Sequence, residues 1–251
     1  MSFAGAPRRW LEAVPESHVH FSMEQLPLEV RLADYALFET FCDGPNGAPV
    51  HALSDLARTE GFSVAWLWGQ PQSGKTHLLQ ACVNAAHTAG FRAAYLPLGI
   101  DSDLIPEAVS GIGKLDVVCV DDVDRIAGEA QWERALFLLY EATREHGARL
   151  VISAQKAPLH CGFVLPDLVS RFASGATFRL QPLSDDEKLE AIQLRARWRG
   201  LNLSGEVARY LFARVDRSNT ELFSLLDRLD REALAAQRKL TVPFVRSVLD
   251  K

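Results

Sequence analysis

The chain has 251 residues, enough for one large domain or for a core domain with a small appendage. Hydrophobic residues make up 48% and charged residues 24%, the balance of an ordinary globular protein. A formal net charge of -5 gives the chain as a whole no electrostatic footprint for nucleic acid. Cys42, Cys82, Cys119 and Cys161 stand far apart with no C-x-x-C pair, and read as reduced, mostly buried thiols rather than a metal site or disulfide frame. The seven histidines also lack ligand spacing. No apolar run approaches the ~18 residues of a membrane span, and Met1 to Trp10 lacks an apolar signal core. A cytoplasmic protein without a membrane partner is the expectation.

Residues 1–33 lack sustained periodicity and read as an extended arm. Between Phe38 and Gly47, aromatics mix with strong turn residues, and a helical pattern runs from Val50 to Glu60. Strands are predicted at 64–68, 91–96, 116–120, 149–153 and 176–180. Helices are predicted at 75–88, 102–112, 130–146 and 165–172. This alternation predicts an α/β domain over 34–182, a mostly parallel sheet covered on both faces. After Pro182 the pattern is helical only. Ser184-Asp185-Asp186-Glu187 is a capping box for a helix ending at Gly200, and Ser204 opens a second. Ser218-Asn219-Thr220-Glu221 caps a third, and Thr241-Val242-Pro243 starts a fourth. Leu222, Phe223, Leu225, Leu226 and Leu229 form a core-facing stripe. Residues 183–251 are therefore a small helical domain.

Gly69-Gln70-Pro71-Gln72-Ser73-Gly74-Lys75-Thr76 is a complete phosphate loop, set between the apolar run Val64–Trp68 and a helical stretch that begins Lys75-Thr76-His77. The glycines let backbone N–H groups face a phosphate, and the helix N-terminus adds partial positive charge. Lys75 reaches terminal phosphates and the Thr76 hydroxyl faces Mg²⁺ in such a loop. His77 is grouped with these binding residues. Val117–Val120 then leads into Asp121-Asp122. A carboxylate at a strand end beside the loop suits Mg²⁺ and a second can polarise water. Asp121 is the expected metal carboxylate. Asp122 is shorter than the Glu that efficient ATPases of this type carry, so a weak catalytic contribution is expected.

The strand Leu150–Ile152 ends in Ser153-Ala154-Gln155. Ser153 or Gln155 could orient water at the γ-phosphate, or this could be a plain turn. A short helix then ends in Ser170-Arg171-Phe172. Arg171 is either paired with a nearby acid, as most surface arginines are, or an arginine finger for a neighbour's nucleotide. Gln25-Leu26-Pro27-Leu28 in the arm has the form of a docking peptide with apolar anchors.

Taken together, Gly74-Lys75-Thr76-His77-Leu78-Leu79, Asp121-Asp122 and Ser170-Arg171-Phe172 resemble the AAA+ core of the bacterial replication initiator DnaA. The segment Phe38…Phe41…Gly44…Asn46 is similar as well. Asp121–Gly128, Leu165–Leu168, Leu180–Asp185 and Gln237–Val245 resemble more closely the Hda family of DnaA-homologous regulators. The resemblance spans roughly residues 25–251. It implies an AAA+ αβα sandwich with a helical lid. It also implies ADP (or ATP) and Mg²⁺ as ligands, with DnaA and the DNA polymerase sliding clamp as partners. The implied activity is to promote hydrolysis of ATP held by DnaA while docked on the clamp, with Gln25–Leu28 as the clamp peptide and Arg171 as the trans-acting finger. Two departures stand out. Thr220 occupies the place of a nucleotide-sensing lid arginine, for which Arg217 is the nearest substitute. Gln155 replaces a strand-end Asp. Both losses weaken self-hydrolysis. The alternative is an autonomous AAA+ ATPase such as a helicase loader, and a homo-oligomer is open in either case.

Overall fold

A computed structural model describes residues 36–99, 104–215 and 218–250, the side chains of Asn219 and Thr220 aside. Five strands, β1 (Ser63–Trp68), β2 (Ala93–Pro97), β3 (Val117–Asp121), β4 (Arg149–Ala154) and β5 (Ala176–Arg179), form one parallel sheet in the order β2-β3-β4-β1-β5. Every residue of β3 and β4 is buried, as expected where helices cover both faces of a parallel sheet. The period-2 alternation of the strands sorts their side chains into two cores. Ala65, Leu67, Val117, Cys119 and Val151 face α1 (Gly47–Arg58) and α2 (Lys75–Thr88). Val64, Trp66, Val118, Val120, Leu150 and Ile152 face α3 (Ala130–Glu145) and α4 (Pro166–Ala173). All four cysteines are free, with Cys82 and Cys119 buried and Cys42 and Cys161 half-buried.

β1 sits between β4 and β5, while α2 carries the chain from β1 across to β2 at the far edge. The connections reverse direction beside β1, and ligands of open α/β sheets bind in the crevice at the carboxyl ends of the strands there. The loop after β1 occupies that crevice. One expected element differs: the 102–112 segment is not a helix in its described part but two 3₁₀ turns, Pro106–Val109 and Ile112–Lys114. Glycines at 111 and 113 interrupt the segment, and Gly111 takes φ +87° between the turns, which stops a continuous helix.

The C-terminal helices are α5 (Asp185–Trp198), α6 (Gly205–Phe212), α7 (Asn219–Ala236) and α8 (Val242–Leu249). Their starts follow the capping residues in the sequence. Ser184 Oγ accepts from Glu187 N–H while the Glu187 carboxylate accepts from Ser184 N–H, and Ser204, Ser218 and Thr241 each cap with their side-chain oxygen. Gly200 N–H and Leu201 N–H return to the carbonyls of Arg197 and Ala196, closing α5. The helices bury their own core of Leu211, Leu222, Leu226, Leu229 and Val245. Phe223 departs from the expected stripe and turns out of that core. Just ahead of these helices, the Asn46 side-chain amide exchanges two hydrogen bonds with the Gln181 backbone, at 3.0 and 2.8 Å, and so fixes the end of the sheet domain from which they start. Among the described residues no helix is long and apolar enough to cross a membrane.

Candidate functional site

The loop after β1 is shaped by two close approaches. A Cβ on Gly69 would lie 2.7 Å from Leu180 O, and one on Gly74 would lie 2.6 Å from the Phe41 ring. Gly74 also adopts φ +96°, which only glycine takes at no steric cost. Lys75, only 6% exposed, donates to Gly69 O at 3.1 Å and Gln70 O at 3.3 Å. Its ammonium is thus folded back across the loop. Ser73 is 7% exposed, and its buried Oγ has no hydrogen-bond partner. A buried hydroxyl without a partner is costly, and here it lies in the loop before the N-terminus of α2, where a Cβ on Gly69 would come within 2.9 Å of it. An oxyanion would satisfy it, so the residues present fit a nucleotide phosphate.

Asp121 ends β3 as a buried carboxylate with three neutral donors. Thr76 Oγ1 and Tyr95 OH each donate to its Oδ2 at 2.7 Å, and Ser153 Oγ donates to Oδ1. Ser153 Oγ in turn accepts from Asp122 N–H at 3.0 Å. Ser153, fully buried, therefore orients the two acids themselves. Burial, then the Asp121 charge, raises the Tyr95 phenol above its ordinary range and keeps it a donor. Asp122 adopts φ +56°, and burial, then the neighbouring Asp121, raises its carboxyl above the ordinary carboxylate value. Gln155 contributes its backbone N–H to Asp124 Oδ1 at 3.2 Å and does not line the cleft. Thr76 and Asp121 bring two hard oxygen donors together, which suits Mg²⁺.

Above the loop lies a cleft of about 550 Å³. Its floor is Gln72–His77, one wall is Ala36, Thr40, Phe41 and Cys42, and the other is the lid with Ala191, Arg195, Phe223 and Asp227. His77 Nε2–H donates to Leu37 O at 2.8 Å and its ring meets Phe41 edge-on at 5.3 Å. Burial, the largest influence, holds the imidazole neutral and brings its pKa down to about 4, with the Arg195 charge acting the same way. His77 thus pins the 36–42 segment over the loop.

Arg171 lies outside this cleft, near the end of α4 on the opposite face of the sheet. Its Nε is 3.3 Å from Glu141 Oε1, and its side chain remains 41% exposed. Gln25, Leu26, Pro27, Leu28 and Arg217 lie outside the described residues, as does the side chain of Thr220.

Tyr95 and Arg195 were missed by sequence reasoning. β2 and β3 pair with Tyr95 opposite Cys119 and Pro97 opposite Asp121, so Tyr95 and Asp121 share one face of the sheet. That register was the available signal, but it needs the strand order. For Arg195, the i, i+4 spacing from Ala191 places both on one face of α5, yet nothing local tells which way that face points.

Residues 185–249 match the family model described as Hda, lid domain. In structure, the chain is similar to domain III of the replication initiation protein DnaA from Thermotoga maritima. That match has a TM-score of 0.70 at 20% identity, covering 88% of this chain and 98% of that one. AMPPCP-bound DnaA from Aquifex aeolicus matches with a TM-score of 0.63 at 21% identity, covering 81% and 68%. A mutant RuvB from Thermotoga maritima matches with a TM-score of 0.57 at 20% identity, covering 80% and 66%. The fold is therefore similar to that of DnaA domain III, a parallel sheet between helices followed by a small helical domain, and the similarity to the Hda lid lies in residues 185–249.

Proposed function

We propose that this chain, with its AAA+ fold and Hda-type lid, is a nucleotide-holding regulator that acts on the replication initiator DnaA in trans. In this reading it binds ADP (or ATP) with Mg²⁺, docks on the DNA polymerase sliding clamp through Gln25–Leu28, and stimulates hydrolysis of ATP bound to DnaA. The observation that carries the proposal is Arg171: an exposed guanidinium on the face of the sheet away from the chain's own phosphate loop. A finger placed there meets another molecule's nucleotide rather than its own.

In its own cleft the nucleotide contributes an anionic anchor between sheet domain and lid. Backbone N–H groups of 72–76 and Lys75 hold the phosphates, Ser73 donates its hydroxyl, and Thr76 with Asp121 holds the metal. Asp122, beside this cluster, is the carboxylate placed to take a proton from water in this reading. Its raised pKa makes it a stronger base when ionised, but its side chain is one methylene shorter than a Glu, which favours slow self-hydrolysis. DnaA meets the exposed face of α4, where the Arg171 fork can bridge phosphate oxygens as charge moves onto them. Sequence-specific DNA binding is not part of this proposal, and the location is the cytoplasm.

The test is ATP turnover by DnaA on clamp-loaded DNA. Stimulation by the wild-type chain supports the proposal, and no stimulation sinks it. The complete set Lys75, Thr76 and Asp121 favours a second reading, an autonomous ATPase such as a helicase loader. That reading expects strong turnover by the chain alone, raised by single-stranded DNA.

A further inference from the structure

The buried carboxylate of Asp121 is held by three hydroxyls, those of Thr76, Tyr95 and Ser153, and none of them carries charge. The Lys75 ammonium is directed at Gly69 O and Gln70 O instead. An ionised carboxylate has about four lone-pair sites. Thr76 and Tyr95 take two at Oδ2 and Ser153 takes one at Oδ1, which leaves one at Oδ1. Neutral donors fix the group without cancelling its negative charge. Tyr95 is the donor that the phosphate loop and β4 do not supply. It stands on β2 opposite Cys119, two residues short of Asp121 along β3. Strands about 4.8 Å apart with a rise of about 3.3 Å per residue put that diagonal near 8 Å. A phenol spans it and still reaches Oδ2 at 2.7 Å. The ring belongs to the core under α1 and α2 and is 8% exposed, so its hydroxyl arrives from a fixed direction. A phenylalanine would fill the same core. The hydroxyl is the part that packing does not require.

We infer that Tyr95 is a positioning residue for the divalent cation of the nucleotide: its hydroxyl fixes the Asp121 carboxylate with the charge intact, and so sets how much the metal adds to nucleotide affinity. The inference rests on the reading of the cleft as a site for a nucleotide with Mg²⁺. Partners that hydrogen-bond a metal-binding carboxylate orient it, and their loss weakens the metal although they never touch it. Thr76 fixes Asp121 from the start of α2 and Ser153 from β4, while Tyr95 fixes it from β2 on the other side of β3. Without the phenol, Oδ2 keeps Thr76 alone, and the carboxylate is free to rotate away from the single lone pair left at Oδ1. The phosphate contacts of the loop are made by other residues, so the effect of Tyr95 belongs to the metal and not to the phosphates.

The test uses the full chain and a fluorescent ADP, with affinity measured once with Mg²⁺ and once with EDTA. The quantity read is the ratio of the two, the gain that the metal gives. Tyr95→Phe keeps the ring in the core and removes only the hydroxyl. It is expected to cut the metal-dependent gain, with the metal itself weakened roughly 10-fold or more. Mn²⁺ titrated into the ADP-bound chain, followed by electron paramagnetic resonance, should show the same weakening directly. Asp121→Asn is expected to remove the gain altogether, and adding Tyr95→Phe to it should change nothing further, because the phenol acts through that carboxylate. An unchanged gain and unchanged Mn²⁺ affinity in Tyr95→Phe overturn the inference. So does an equal loss of ADP affinity with Mg²⁺ and with EDTA, which would make the hydroxyl a structural hydrogen bond only. A wild-type chain that binds ADP equally well in EDTA, with no Mn²⁺ held, also overturns it and leaves the nucleotide reading standing. Failure of that parent reading looks different: the wild-type chain would then bind ADP no better than Lys75→Ala does.

Discussion

Arg171 Nε lies 3.3 Å from Glu141 Oε1, so the proposed trans-acting arginine is held by an acid of its own α3. The guanidinium also sits 5.8 Å from the Tyr140 ring centroid, and Glu141 pairs with Arg144 as well. An ion pair at this exposure contributes about 0–1 kcal/mol. It orients the fork yet yields readily to a phosphate. Arg171→Ala is therefore expected to fold and to bind nucleotide with stability within about 1 kcal/mol of wild type. Stimulation of DnaA-bound ATP hydrolysis should fall by roughly 10³–10⁵ if the finger is fully engaged. Arg171→Lys should also fail, since it keeps charge without the fork. Wild-type turnover with Arg171→Ala would reduce Arg171 to the partner of Glu141.

Lys75→Ala removes the ammonium that spans Gly69 O and Gln70 O. Retention of ADP should be lost in equilibrium dialysis, while the circular dichroism of the sheet and helices is kept. Undiminished retention of ADP would show that the phosphates lie elsewhere.

Glu133 is 1% exposed, and its carboxylate accepts from the backbone N–H groups of Gly128, Val164 and Leu165 at 2.7, 3.0 and 2.7 Å. It ties the loop after Asp122 to the start of α4, and so places Arg171. Glu133→Ala orphans these three donors. The expected loss is on the order of 3 kcal/mol in urea denaturation, from one to three unmade buried hydrogen bonds. A change below about 0.5 kcal/mol would mean that water replaces the carboxylate.

His77 gives a pH signature. Its pKa in the fold is about 4, below the ordinary 6.5, chiefly through burial. Between these values the unfolded chain binds more protons than the folded one, so stability rises with pH across this window and is lost as pH falls from 6.5 toward 4. The loss amounts to at most about 3 kcal/mol. In His77→Gln this part of the pH dependence should vanish. An identical stability profile from pH 7 to pH 4 in both proteins would refute the assignment.

The arm gives a binding prediction independent of the cleft. Replacing Gln25, Leu26 and Leu28 by Ala should remove clamp affinity in surface plasmon resonance and leave ADP binding intact. Burial of the two leucines is worth about 3–6 kcal/mol before ordering costs, which sets the wild-type affinity near micromolar. Unchanged clamp affinity in the triple variant would dismiss the segment as a docking peptide.

What the amino-acid sequence determined by itself are the features whose physics is local. The phosphate loop depends on glycines at fixed spacing between a strand and a helix. The lid helices begin at Ser184, Ser204, Ser218 and Thr241 because a side-chain oxygen reaches a backbone N–H three residues on. Strand positions followed from short apolar runs bounded by turns, and their alternation with helices implied the parallel sheet. The strand order β2-β3-β4-β1-β5 was decided only by tertiary structure, and everything that depends on it was hidden. Tyr95 and Ser153 meet Asp121 from strands on either side of β3, across pairings that no periodicity encodes. Glu133 finds its partners five and more than thirty residues away, and Arg195 and Phe223 face the cleft only because α5 and α7 close over it. A single helix pattern shows which residues share a face, but the direction of that face is set by what packs against it.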